Sequence, residues 1–146
     1  MSSPSSHRIA YFYEPEVGNF YYGSQHPMKP YRLAITHSLV LKYGLYKDMD
    51  VYRPRRATRT QLEAFHSPEL LDFLYSLDSE KGSVGHTQSM LRQIGERFGI
   101  CDDCPAFPGL PKFFEIFSGA SIQAGNANKI AISLPFSFSC YPQPKN

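Results

Sequence analysis

The residues of this chain best able to do chemistry are five histidines, three cysteines and a cluster of aspartates and arginines. His7, His26, His37, His66 and His86 are scattered along the sequence. None stands at metal-ligand spacing from a carboxylate or another histidine, as a three-ligand hydrolytic zinc site would require. His26, between Gln25 and Pro27, reads by itself as a loop histidine. His37 falls at helical spacing from Leu33 and Val40 and reads as a packed side chain. Cys101-Asp102-Asp103-Cys104 is a lone C-x-x-C, and the only other thiol is Cys140. A structural zinc site needs a second pair. A redox pair would sit after a strand with a helix opening at its first cysteine, which Asp102 and Pro105 do not suggest. Incidental thiols are the expectation. Asp103 taken alone is a turn residue, because Asp-Cys-Pro starts turns. Arg53, Arg55, Arg56 and Arg59 surround Pro54. They read either as a solvated face or as a contact for phosphate or an acidic partner.

The elements that must position these residues follow from length and pattern. A chain of 146 residues suits one small domain. With 42% hydrophobic and 19% charged residues it has a globular composition. A formal charge of +2 is too small to argue for direct nucleic-acid binding. No run of 18 apolar residues exists, so no membrane span is expected. Sparse cysteines and a Ser-rich start without an apolar core point to a reducing compartment. Arg8 to Tyr13 reads as a strand, and Glu14 to Pro30 as a long aperiodic loop of the functional kind. Pro30 opens a helix carrying Leu33, Val40 and Leu41, which Gly44 stops. Met49 to Arg53 reads as a second strand. Thr60-x-x-Glu63 has the form of a capping box. Ser67-Pro68 caps a helix with Leu70, Phe73, Leu74 and Leu77, a weaker one spans 89–97, and Pro111 starts the last. The order is α/β in character, with too few firm strands for a finished parallel sheet.

Three blocks carry a family resemblance. The first is Tyr11-Phe12-Tyr13, Val17-Gly18-Asn19, then Tyr22-Gly23-Ser24-Gln25-His26-Pro27-Met28-Lys29-Pro30-Tyr31-Arg32 running into Leu33 to Gly44. The second is Phe65-His66-Ser67-Pro68 with Phe73-Leu74, and the third is Asp102 to Leu110 followed by Gly119-Ala120-Ser121. In this order they closely resemble the opening of class I histone deacetylases, over about residues 8–132. The resemblance implies an incomplete N-terminal portion of an arginase/deacetylase-type parallel-sheet domain at 8–132, then a divergent, irregular Pro/Ser-rich tail at 133–146. It implies that Asp103 holds the backbone of an acetylated substrate, a task suited to a carboxylate accepting amide N–H bonds. It places Tyr22, Met28 and Arg32 on an internal cavity that accommodates acetate, where a guanidinium grips a carboxylate with two bonds. It makes Lys29 a contact for inositol polyphosphate, with Tyr21 and Gln25 standing where the family pattern has a His and a Gly.

The same resemblance implies what is missing. Ile130-Ala131-Ile132 resembles the strand leading to the family's His pair, but Ser133 is followed by Leu-Pro-Phe-Ser-Phe. The zinc ligands of the family and its catalytic histidines have no counterpart, so no catalytic residue and no metal ligand is expected in this chain. Zinc belongs to the full-length family and is not expected to bind here. Amide hydrolysis of that kind needs the metal to lower the pKa of bound water from about 15.7 to about 7, and a histidine to move protons. Three readings stand side by side. The chain is a deacetylase fragment inactive alone, a non-catalytic fragment binding corepressor or inositol phosphate, or an unrelated small basic or thiol-redox protein; the ordered blocks disfavour the third. The expected family partners are acetylated histone tails and corepressor subunits, and the expected compartments are the nucleus and also the cytoplasm.

Overall fold

The structure is a computed structural model that describes residues 9–77, 88–100, 104–127 and 131–133. Its centre is strand β1, Ile9–Phe12, which pairs in parallel with β2, Met49–Tyr52, on one side and β3, Ala131–Ser133, on the other. Ile9 lies opposite Met49 and Phe12 opposite Tyr52, while Ala10 lies opposite Ala131. The third strand is one more than the two firm strands legible from pattern. Ala10, Tyr11 and Phe12 are all buried, as a central parallel strand requires when helices cover both faces. Alternation sorts them: Ala10 and Phe12 pack with Ala120, while the ring of Tyr11 stacks on His37.

Helix α1, Tyr31–Lys42, begins after Pro30 and closes where Gly44 adopts a left-handed conformation at φ 72°. Helix α2, Arg59–Glu63, corrects one expectation. Its capping box is Thr58 with Gln61, not Thr60 with Glu63. The Thr58 hydroxyl accepts from the Gln61 N–H, and the Gln61 side chain accepts from the Thr58 N–H. Starting two residues earlier buries Leu62 and frees Glu63 to accept from Arg59 one turn back. Helix α3, Pro68–Ser76, is capped by the Ser67 hydroxyl as expected, and it buries Leu71 and Phe73. Helix α4 covers Gln88–Arg97.

Helix α5, Leu110–Asn126, supplies the core. Leu110, Phe113, Phe114 and Ile116 are buried in one cluster with Leu33, Leu62 and Leu71. At Gly119 the segment after β2 crosses this helix at backbone contact. A Cβ added there would lie 2.6 Å from the Ala57 nitrogen. The Ala57 N–H donates to the Glu115 carbonyl at 2.8 Å, and the Gln123 amide donates to the Arg55 carbonyl at 2.9 Å. The long loop expected over 14–30 does hold one turn, a 3-10 helix at Pro15–Asn19. Glu14 anchors its start, since the buried carboxylate accepts two bonds from Arg53, at 2.7 and 3.0 Å. That bidentate pair ties the end of β1 to the end of β2. No helix among the described residues is long and apolar enough to cross a membrane.

Candidate functional site

The loop from Phe20 to Pro30 lies over the N-terminal end of α5, and aromatic packing sets its path. The Phe20 ring meets Phe113 edge-on with centroids 5.0 Å apart. Phe20 also lies 3.0 Å from where a Cβ on Gly109 would stand, and Gly109 has φ 81°. Both facts demand glycine at that corner. Tyr22 is buried between Phe107, 4.5 Å away, and Phe113, 5.9 Å away. Burial pushes its hydroxyl pKa upward, so the phenol stays protonated. Met28 packs against the same cluster. Arg32 sits in the first turn of α1 and is exposed. Of the three residues expected to line one cavity, Tyr22 belongs to the core cluster, Met28 packs against that cluster, and Arg32 is exposed on α1.

His26 is turned by its own loop. Its Nδ1 accepts the Met28 N–H at 3.1 Å, which leaves Nε2 to carry the proton of the neutral ring. The ring also lies 4.9 Å from Tyr22. Lys29 closes the loop from outside. Its ammonium donates to the carbonyls of Gly23, at 2.8 Å, and Ser24, at 3.0 Å. It also stands 5.5 Å above the ring of exposed Tyr21. Lys29 and Tyr21 are therefore neighbours, and Gln25 lies exposed within the same loop. Asp103 lies outside the described residues, as do Cys101, Asp102 and Cys140. Cys104 is buried and disulfide-bonded, against the expectation of incidental thiols. Both other cysteines fall outside the described residues.

The arginine group resolves in favour of structure. Arg53 is held by Glu14, Arg56 bonds Glu16 at 2.9 Å, and Arg59 bonds Glu63 at 2.6 Å and Asp72 at 2.7 Å. Three of the four charges therefore have carboxylate partners in the fold. Glu16 also accepts from Lys112, and these cations hold its carboxyl below the ordinary range.

Pattern alone did not reveal the Tyr11–Tyr13–His37 stack. His37 faces the sheet with its ring 3.7 Å from that of Tyr13, and its Nδ1 lies 3.0 Å from the Tyr11 hydroxyl. Burial lowers the His37 pKa and raises that of Tyr11 to about 12. The Tyr-x-Tyr alternation of Tyr11 in β1 and Tyr13 just after it, with the histidine six residues into α1, is the available signal. The packed role expected for His37 holds, with tyrosines rather than Leu33 and Val40 as the partners.

A zinc cage is a separate question of donors. No three His, Cys, Asp or Glu side chains converge among the described residues. His26 and His37 both commit Nδ1 within their own surroundings, and His66 packs against Phe65. The described residues do not fit a catalytic zinc ion, whose three protein ligands must converge on one point.

Comparison with known proteins bears on the same segments. The family model for the histone deacetylase domain matches residues 26–132, from the His26 loop into β3. The chain is also similar to histone deacetylase HDAC1 of Drosophila melanogaster, with 42% identity over 124 residues. That match takes in 85% of this chain and 23% of the fly protein, so the chain spans about a quarter of its relative's length. The chain belongs to the histone deacetylase family, as an N-terminal portion of a class I domain.

Proposed function

We propose that this chain is part of a protein lysine deacetylase, in which a complete domain removes acetyl groups from lysine by zinc-assisted amide hydrolysis. One observation carries the reading: Tyr22 from one loop and Phe107 from another meet with ring centroids 4.5 Å apart, beside Phe113 at the head of α5. Two loops meeting over one helix end is the arrangement of a binding site built on a rigid support. In this reading Tyr22 and Met28 line the cavity that receives acetate, and Arg32 grips its carboxylate. Asp103, four residues before Phe107 in sequence, holds the substrate backbone. Acetylated histone tails are the substrates, corepressor subunits the partners, and the nucleus, with the cytoplasm, the compartment. Zinc supplies the Lewis acid in a complete domain, and this chain alone is inactive. Lys29 beside Tyr21 favours a second reading, a non-catalytic fragment that binds corepressor and inositol phosphate. Two of the three ammonium N–H groups are already used on carbonyls, which leaves one for a phosphate oxygen.

The test is an acetyl-lysine peptide assay on the purified chain with and without a chelator, beside a pull-down on a corepressor scaffold. Absence of turnover is the expected result. Deacetylation that disappears with the chelator would refute inactivity, and scaffold capture without turnover would favour the second reading.

A further inference from the structure

The loop that carries Tyr22 and Met28 is bridged by one side chain. Tyr22 is buried and Met28 packs against the core cluster, while Ser24, Gln25 and Pro27 between them are exposed. The chain turns at Gly23, with φ 107°, and a Cβ added there would meet nothing within 4 Å. Among the described residues, then, no neighbouring element backs the loop at its turn. Bonds within the loop hold it instead. The Lys29 ammonium donates to the carbonyls of Gly23 and Ser24, at 2.8 and 3.0 Å. Nested inside that bridge, the Met28 N–H donates to Nδ1 of His26 at 3.1 Å. Gly23 directly follows Tyr22, and Lys29 directly follows Met28. The outer bridge therefore fixes the spacing of the two points at which Tyr22 and Met28 leave the backbone.

We propose that Lys29 is a positioning residue for the acetate-receiving site, its charge acting through the Gly23 and Ser24 carbonyls to hold Tyr22 and Met28 in place; the inference rests on the functional reading above. Both acceptors are backbone atoms of consecutive residues, so the two bonds fix the path of the chain and not merely a rotamer. Lys112 shows the contrast. Its ammonium bonds the Glu16 side chain, an exposed pair that fixes no backbone. A bond from an ionised ammonium is stronger than one between neutral groups, and three donors on one nitrogen serve two carbonyls at once. Lys29 is itself exposed, so its hold on the loop comes from charge and not from packing. A loop fixed beforehand loses less freedom when a ligand arrives, and that is the gain a positioning residue supplies.

The experiment compares the full wild-type chain with Lys29→Met, which keeps the length and loses the charge, and Lys29→Arg, which keeps the charge. Nuclear magnetic resonance reads amide exchange, the Met28 methyl signal and its response to added sodium acetate. In Lys29→Met the amides of Ser24, Gln25 and His26 should exchange about tenfold faster through local opening, while the Phe117 amide in α5 is unchanged. The Met28 methyl should move toward the position of an exposed methionine, and Lys29→Arg should restore both readouts. Acetate should shift the wild-type Met28 methyl, and Lys29→Met should bind it about fivefold more weakly, as when the competent loop is populated about a fifth of the time. The proposal is overturned if Lys29→Met leaves loop exchange and the methyl signal unaltered. It is equally overturned if Phe117 loses protection in step with the loop, or if Lys29→Arg behaves like Lys29→Met. A wild-type chain whose loop depends on Lys29 but whose Met28 methyl ignores acetate upholds the bridge and refutes the acetate reading.

Discussion

Helices α5 and α1 are both rich in large apolar residues, yet one is finished and the other half-covered. Leu110, Phe113, Phe114 and Ile116 on α5 are buried among loops, α2 and α3. On α1 Leu33 is buried, while Ile35 and Leu39 face outward. The difference lies in their neighbours. The helix α5 gathers partners from the whole chain, including a backbone segment at Gly119 and a loop over its first turn. The contacts of α1 come from the 3-10 turn, β1 and the segment leading to β2. Apolar periodicity therefore reports that a face will be covered somewhere, without saying that this polypeptide covers it.

The largest effect should come from emptying the finished side. Phe113 is fully buried, and Phe113→Ala should cost about 4 kcal/mol in chemical denaturation, the usual range for removing a core phenyl ring. Next comes Gly119→Ala. Its added methyl meets backbone at Arg55 and Ala57, where no side chain can turn aside. A loss of about 3 kcal/mol is expected, at the upper end for overpacking. Much smaller is the effect of Ile35→Ser with Leu39→Ser on the outer side. Stability of the isolated chain should stay within about 0.5 kcal/mol, while binding of a fluorescent apolar dye falls. A large loss there would mean that α1 is already covered.

A pH profile supplies the smallest effect. Burial lowers the folded pKa of His37 below its ordinary value of 6.5, so the unfolded chain binds more protons in the interval between the two. Stability should be full above pH 6.5 and decline as pH falls toward the folded pKa. His37→Phe should remove that decline without removing the stack on Tyr13. A slope unchanged by the substitution would exclude His37 as its source.

How much was legible in the sequence depended on the range of the interaction involved. The Ser67 cap, the Gly44 stop and the strands at 9–12 and 49–52 are local events, so spacing and turn chemistry found them. The box at α2 was misplaced because two overlapping Thr-x-x-Gln/Glu patterns satisfy the same local rule. Burial of Leu62, a tertiary fact, chooses between them. The arginine group stayed ambiguous for the same reason. Glu14 and Glu16 lie some forty residues before Arg53 and Arg56, and folding alone brings them together. At the candidate site, motif resemblance pointed to Tyr22, Met28 and Lys29. The meeting of Tyr22 with Phe107, eighty-five residues apart in sequence, arises only in the fold. The Lys29 contacts with Gly23 and Ser24 carbonyls carried no signal in residue type, because any residue could supply a carbonyl.

The contrast between the two helices is tested most directly by amide hydrogen exchange on the full chain, resolved by residue. Amides in the middle of α5, such as Phe117, should exchange only through global unfolding. Those at Leu39 and Leu41 in α1 should open at least tenfold more often through local events. Equal protection in both helices, matching the global unfolding free energy, would contradict an open α1 face.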